Sequence, residues 1–172
     1  MGRDKALLPF RGRPLVAAVA EAVREAAGSA VLIGNATLTA VTGFSAIPDL
    51  FPGEGPLGGI LTALRSTTAD WNLVCACDMP ELTAPFLSRL FKAAEAADPD
   101  VLLPASATGL PEPLCAVWHC RALGSIESAF AAGTRKVTDA FAGLRVVPYR
   151  IDEVTPFQNV NTPEDWSGYA AE

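Results

Sequence analysis

An aspartate closes the apolar run WNLVCACD and is followed at once by Met79 and Pro80. A carboxylate at the exit of a buried strand can face a cleft while its strand stays in the core. Magnesium takes one or two carboxylates together with phosphate oxygens and water, so one such residue can anchor a metal-nucleotide. Asp78 is therefore a candidate metal ligand, with capping of the next turn as the plain structural alternative. Asn35 ends the run SAVLIGN and Asp49 ends GFSAIPD. Ligands of α/β sheets bind beyond the carboxyl ends of the strands, so these three polar ends point to one site. Lys5 sits in GRDK, just ahead of ALLPFRGRP. Docking of those apolar residues would hold its ammonium group near a fixed position, where it can offset the charge of a polyphosphate as its oxygens rearrange.

Other motifs narrow the chemistry. GEGPLGG, which contains Gly58, lacks the Lys-Ser/Thr ending of a P-loop, and the chain has no GxGxxG. It reads as a close approach of backbone to ligand that leads into a helix whose N-terminus favours phosphate, or as a glycine-rich connector. His119 is the only histidine. Without a Ser-centred elbow or a second histidine, a hydrolytic triad has no support. Glu112 and Pro113 open the segment that carries it. FQNVNTPED offers Asn159 and Asn161 two positions apart, with Thr162 as a cap, Pro163 at the first helical position and Asp165 in a variant capping box.

The elements that must position these groups follow from periodicity. PLVAAVAEAVREAA, residues 14–27, carries an apolar stripe at helical spacing and ends at Gly28. Further helices are expected from about Leu57 to Thr67, after Thr83 as N-cap, from Leu123 to Ala132, from Lys136 to Phe141, and from near Pro163. WNLVCACD, VLLPAS, PLCAVWHCR and LRVVPYR join the two earlier runs as strands. Strands alternating with helices predict one α/β domain of three layers, α/β/α, around a mostly parallel Rossmann-like sheet. The 172 residues, half of them apolar, suit one domain with a substantial core. A net charge of -6 gives no basic footprint for nucleic acid. The apolar runs are too short and interrupted for a membrane span, and no segment has the order of a signal peptide. A cytoplasmic protein is the expectation. Cys75, Cys77, Cys115 and Cys120 lack zinc-knuckle spacing and read as free thiols.

Taken in order, MGRDKALLPFRGRPL, DLFPGEGPLGGI, CDMP, EPLCAVWH and FQNVNTPED resemble the molybdenum cofactor guanylyltransferase family, within the Rossmann-like nucleotidyltransferases. The resemblance spans nearly the whole chain. It implies a nucleotide-diphospho-sugar transferase-like fold and transfer of GMP from GTP to molybdenum-molybdopterin, with Mg2+ required and pyrophosphate released. It places Lys5 at the nucleotide phosphates, Asp78 on magnesium, Asp49 in the nucleotide pocket and Asn35 near the base. Gly58 falls in the nucleotide-binding loop, and Asn159 and Asn161 fall at the phosphate and acceptor side. Two positions before Asn35, where relatives often carry a second amide, stands Ile33; a cytidylyltransferase, or a transferase with another phosphorylated acceptor, is the alternative. The implied partners are the small-molecule substrates, with molybdoenzymes or their chaperones as receivers of the product. In the family, MGRDK is the tail of a longer motif, a first strand and a glycine-rich loop that wraps the triphosphate. Met1 and Gly2 match only its end. Residues 1–172 are thus expected to form a single nucleotidyltransferase domain that is incomplete at its N-terminus, or a degenerate nucleotide-binding homologue. Lacking that strand, the sheet would expose apolar surface and unpaired backbone.

Overall fold

The computed structural model describes residues 5–106, 108–152 and 157, and of Lys5 the backbone alone. After a 3-10 turn at Lys5–Leu7, strands β1 (Pro9–Phe10) and β2 (Arg13–Pro14) form a small hairpin. Arg11 and Gly12 make its two-residue turn with φ of 46° and 77°, the doubly positive geometry that matches strand twist. The hairpin buries Phe10 and delivers the chain into helix α1 (Leu15–Ala27). That helix ends as its sequence predicts, at Gly28 in the left-handed conformation with φ 83°. Strand β3 (Leu32–Ile33), helix α2 (Thr37–Thr42), strand β4 (Ala46–Ile47) and helix α3 (Pro56–Arg65) follow. Next come β5 (Trp71–Cys75), α4 (Ala84–Ala97), β6 (Val101–Ala105), β7 (Cys115–His119), α5 (Leu123–Ala131), a 3-10 turn at Val137–Phe141 and β8 (Val146–Arg150). Thr83 caps α4 as expected, its hydroxyl accepting from the Phe86 N–H. The helix expected near Pro163 lies outside the described residues.

The α/β class holds, and the sheet is mixed. The order of its four-stranded part is β5-β7-β6-β8, with β7 antiparallel to both neighbours and β6 parallel to β8. The apolar run PLCAVWHCR does not reveal this direction, because a strand buried on both faces reads alike in either orientation. Alternate residues serve the two faces. Ala116 and Trp118 of β7 join Leu57, Ile60 and Leu61 of α3 and Ile126 and Phe130 of α5 in one core. Cys115 and Val117 join Val19 of α1 and Phe86, Leu87 and Leu90 of α4 in the other. These are the three predicted layers. No described helix is long and apolar enough to cross a membrane.

Strands β3 and β4 pair in parallel as a separate two-stranded piece. Its outer strand β3 and the outer strand β5 of the larger sheet border one apolar slot. Helices α1 and α3 cover the slot from opposite sides. Strand edges without a ladder partner among the described residues thus meet apolar walls in the middle of the α/β layer. Val31, at the slot, is 53% exposed.

The loop between β4 and α3 is held from beneath. Asp49 Oδ1 accepts from the Phe51 N–H at 2.9 Å and from the Thr62 hydroxyl at 2.9 Å, while Thr62 Oγ1 accepts from the Leu50 N–H at 3.1 Å. Thr62 is fully buried. Gly58 lets α3 close on this loop, since a Cβ there would stand 3.0 Å from the Cβ of Phe51 and 3.2 Å from its carbonyl oxygen. Gly58→Ala is expected to cost about 1–3 kcal/mol by overpacking against a backbone that cannot yield cheaply. Urea unfolding of the two proteins measures it, with an unchanged midpoint as the contrary result.

Candidate active site

Strand β5 leaves the sheet at its carboxyl end with the Ala76 N–H still bonded to the Leu114 carbonyl at 2.7 Å. The chain then turns through Asp78 into Met79, which is fully buried and pins the turn to the core. This anchoring leaves Asp78 at the end of the slot, a cavity of about 450 Å³. Ala6, Ile33, Pro56 and Gly59 share its lining. The cavity therefore collects the residue next to Lys5, the end of β3, the first turn of α3 and the predicted metal ligand. The α3 N-terminus carries no side-chain cap, so its first backbone N–H groups retain the partial positive charge of a helix start.

One carboxyl oxygen of Asp78, Oδ1, is buried with no hydrogen-bond partner among the described residues. An unpaired buried carboxylate oxygen is costly. Glu112 adds to the problem. It precedes β7 and is tied in place by its own N–H, which donates to the Pro104 carbonyl at 2.8 Å. Burial pushes the Glu112 carboxyl above the usual carboxylate range; the Leu114 N–H, at a long 3.4 Å from Oε1, pulls it back, and the negative charge of Asp78 pushes it up further. Two carboxylates at adjoining chain ends, one with an orphaned oxygen, fit a hard divalent cation that would neutralise both. No cluster of three or more His, Cys, Asp or Glu side chains with metal-holding geometry occurs among the described residues.

The other predicted residues have more local duties. Asn35 starts α2: its side-chain oxygen accepts from the Thr37 N–H at 3.0 Å and its carbonyl from the Leu38 N–H at 3.0 Å. The sequence reading missed this six-residue helix, whose three threonines disguise it. Asp49 braces the loop before α3, and Gly58 serves its packing. Neither they nor Asn35 line the cavity that Asp78 enters. His119 lies at the far end of β7, opposite Trp71 in the register, while Asp78 follows the other end of β5. It packs edge-on to Trp71 with ring centroids 4.6 Å apart and accepts the Arg121 N–H on Nδ1, contacts that hold the end of the ladder away from the cavity. Asn159, Asn161 and the Thr162 cap lie outside the described residues, as does the side chain of Lys5. Glu112, which opens EPLC just before a buried strand, stands near enough to Asp78 for the two charges to interact, a neighbourhood that the sequence alone does not give.

The raised Glu112 pKa sets a pH dependence. Between the ordinary carboxylate value and the raised one, the folded protein keeps a proton that the unfolded chain has released, so stability falls as pH rises through that window. Glu112→Gln removes the titration. Its Tm in chelator-treated buffer is expected to exceed that of the wild type above the window and to vary less with pH across it. Parallel Tm–pH curves for the two proteins would contradict the assignment.

Comparison with known proteins gives the family and the fold. Residues 1–146 match the family model described as MobA-like NTP transferase domain. A molybdenum cofactor guanylyltransferase of Shewanella sp. (strain ANA-3) is 32% identical over 175 residues, covering 99% of this chain and 88% of that protein. That of Vibrio atlanticus is 31% identical, covering 95% and 85%. Among solved structures, molybdopterin-guanine dinucleotide biosynthesis protein A from Archaeoglobus fulgidus superposes with a TM-score of 0.82 at 29% identity, covering 98% of this chain and 89% of that one. The 2-C-methyl-D-erythritol 4-phosphate cytidylyltransferase of Thermus thermophilus, at 19% identity, shares the fold with a TM-score of 0.73. A family model matched over most of the chain, and relatives more than 30% identical along nearly its whole length, show that the chain belongs to the MobA-like molybdenum cofactor guanylyltransferase family of nucleotidyltransferases.

Proposed function

We propose that this enzyme transfers GMP from GTP to the terminal phosphate of molybdenum-molybdopterin, in the cytoplasm. The observation that carries the reading is the buried oxygen of Asp78, without a partner among the described residues, at the mouth of a cavity shared with the start of α3. A phosphate oxygen of the acceptor attacks the α phosphorus of GTP, the bond to the bridging oxygen of the β phosphate breaks, and pyrophosphate leaves. The acceptor is already an anion, so no strong general base is needed. Positioning and charge neutralisation carry the rate, consistent with a lone histidine far from the cavity.

Asp78 and Glu112 would hold Mg2+, which when bound supplies positive charge to the phosphate oxygens. Lys5 meets the triphosphate, and the N–H groups at the start of α3 add donors. Asp49 and Gly58 shape the loop that the nucleotide rests on, Asn35 stands on the base side, and Asn159 and Asn161 belong to the phosphate and acceptor side. The slot between β3 and β5 takes one more strand, so that the domain is completed by the strand and glycine-rich loop that the family resemblance implies. Molybdoenzymes or their chaperones would receive the product.

Pyrophosphate release with GTP, molybdenum-molybdopterin and magnesium tests the reading. Asp78→Ala should lower the rate by about 100-fold or more while leaving the Tm equal or higher, because it removes an unpaired buried oxygen. Full activity in that variant would end the metal assignment. Ile33 on the cavity wall is the observation that favours a second reading, a cytidylyltransferase on the same acceptor. Side-by-side titration with GTP and CTP separates the two, with tighter GTP binding expected. A form that also carries an upstream strand and glycine-rich loop should show a higher Tm and tighter GTP binding than this chain; equal values would refute the completion of the slot.

A further inference from the structure

Cys75 and Cys115 face each other directly in the β5–β7 ladder, 40 residues apart in the chain, with sulfurs 3.9 Å apart. The Ala76 N–H bonds to the Leu114 carbonyl and the Cys120 N–H to the Asp70 carbonyl. These bonds fix the alternation of the ladder, and the Cys75–Cys115 pair falls at a non-hydrogen-bonded position. There the Cα atoms of opposed residues stand about 4.5 Å apart, within the roughly 4.4–6.8 Å that a disulfide spans. Side-chain rotation, without a change of register, closes the remaining gap. The two thiols also differ in access. Cys115 is fully buried, whereas Cys75 is only partly buried and lines the cavity.

We propose that Cys75 and Cys115 are a thiol modification site, oxidised by a hydroperoxide to a cross-strand disulfide that staples together the chain segments carrying Asp78 and Glu112. Hydrogen peroxide reaches Cys75 through the cavity. The Cys75 sulfur takes one peroxide oxygen, its proton passes to the departing oxygen as water, and a sulfenic acid remains. The Cys115 sulfur then displaces the hydroxyl from Cys75. The S–S bond forms, and the Cys115 proton leaves with that hydroxyl as a second water. Two thiols are oxidised and one peroxide is reduced. Access assigns the first step to Cys75, which lines the cavity, and the resolving step to the buried Cys115.

Cys77 and Cys120 are poorer partners. Cys77 follows the end of β5 and packs with Val16, Ala20 and Leu38, away from Cys115. Cys120 follows the opposite end of β7, beside His119 and Asp70, about 17 Å along the strand from Cys115 at some 3.4 Å per residue.

The full chain is treated with dilute hydrogen peroxide, its remaining reduced thiols are blocked, and the digest is mapped by mass spectrometry without reductant. The expected result is an intact mass, before blocking, lower by two hydrogens, then a single intramolecular Cys75–Cys115 peptide with Cys77 and Cys120 recovered as blocked thiols. Reductant added before blocking should restore all four thiols. Cys120→Ser should behave as the wild type, and Cys75→Ser should leave Cys115 reduced. A disulfide from Cys75 to Cys77 or Cys120, an intermolecular link only, or four surviving thiols would each overturn the proposal. The wild-type map decides even if a variant fails to fold.

Discussion

The antiparallel ladder between β5 and β7 is the constraint on which the site depends. Five residue pairs, from Trp71 opposite His119 to Cys75 opposite Cys115, lock the two strands in one register. Because side chains alternate between faces, a slip of one residue would move Trp118 from the α3–α5 core to the α1–α4 core. With the register held, the chain before β7 and the chain after β5 must meet at the same edge of the sheet. The Ala76–Leu114 hydrogen bond extends that meeting one step beyond the strands. Asp78 and Glu112 are brought near each other by backbone geometry, before any attraction between their side chains is considered. Their side chains in fact repel.

That repulsion is informative. A fold that places two carboxylates together, one partly buried and one with a sealed oxygen, stands in a state that a cation would relieve. The surrounding structure is stiff enough to hold the pair. Met79 anchors one side and the Glu112–Pro104 bond holds the other, while at the opposite end of the sheet the forked contacts of Arg121 to Asp98 and Asp100 fasten the start of β6. None of these supports touches the cavity. They divide the work between a rigid frame and a poorly satisfied site, a division that recurs where binding is worth more than local stability.

Much of this was legible in the residues. Helix α1 is readable because Pro14, an apolar stripe and Gly28 agree on its start, face and end. Asp78 is readable as a strand-end residue because the apolar run WNLVCAC stops at it, and it lies at the end of the slot. Strand direction was not readable: Cys115–His119 is apolar on both faces, and its reversal is settled by pairing with β5 and β6. The first hairpin was also hidden, since its turn is Arg11–Gly12, where asparagine or aspartate before glycine is the stronger signal. Asn35 and Asp49 have the right chemistry for ligand contact, yet their visible bonds go to backbone and to Thr62. A polar residue at a strand end can frame a site without entering it, and sequence alone does not distinguish the two.

The parallel pairing of β6 with β8 bears on how the protein is made. Leu102 reaches its partner Val147 only after β7, α5 and the intervening turns have been synthesised. Local helices can form early, but the four-stranded sheet closes when the last strand arrives. A chain on the ribosome would therefore expose the apolar faces of β5, β6 and β7 through much of its synthesis, and such non-local sheets assemble slowly. Translation speed through the final third of the message, and the availability of chaperones during it, thus bear on how much active protein a cell obtains.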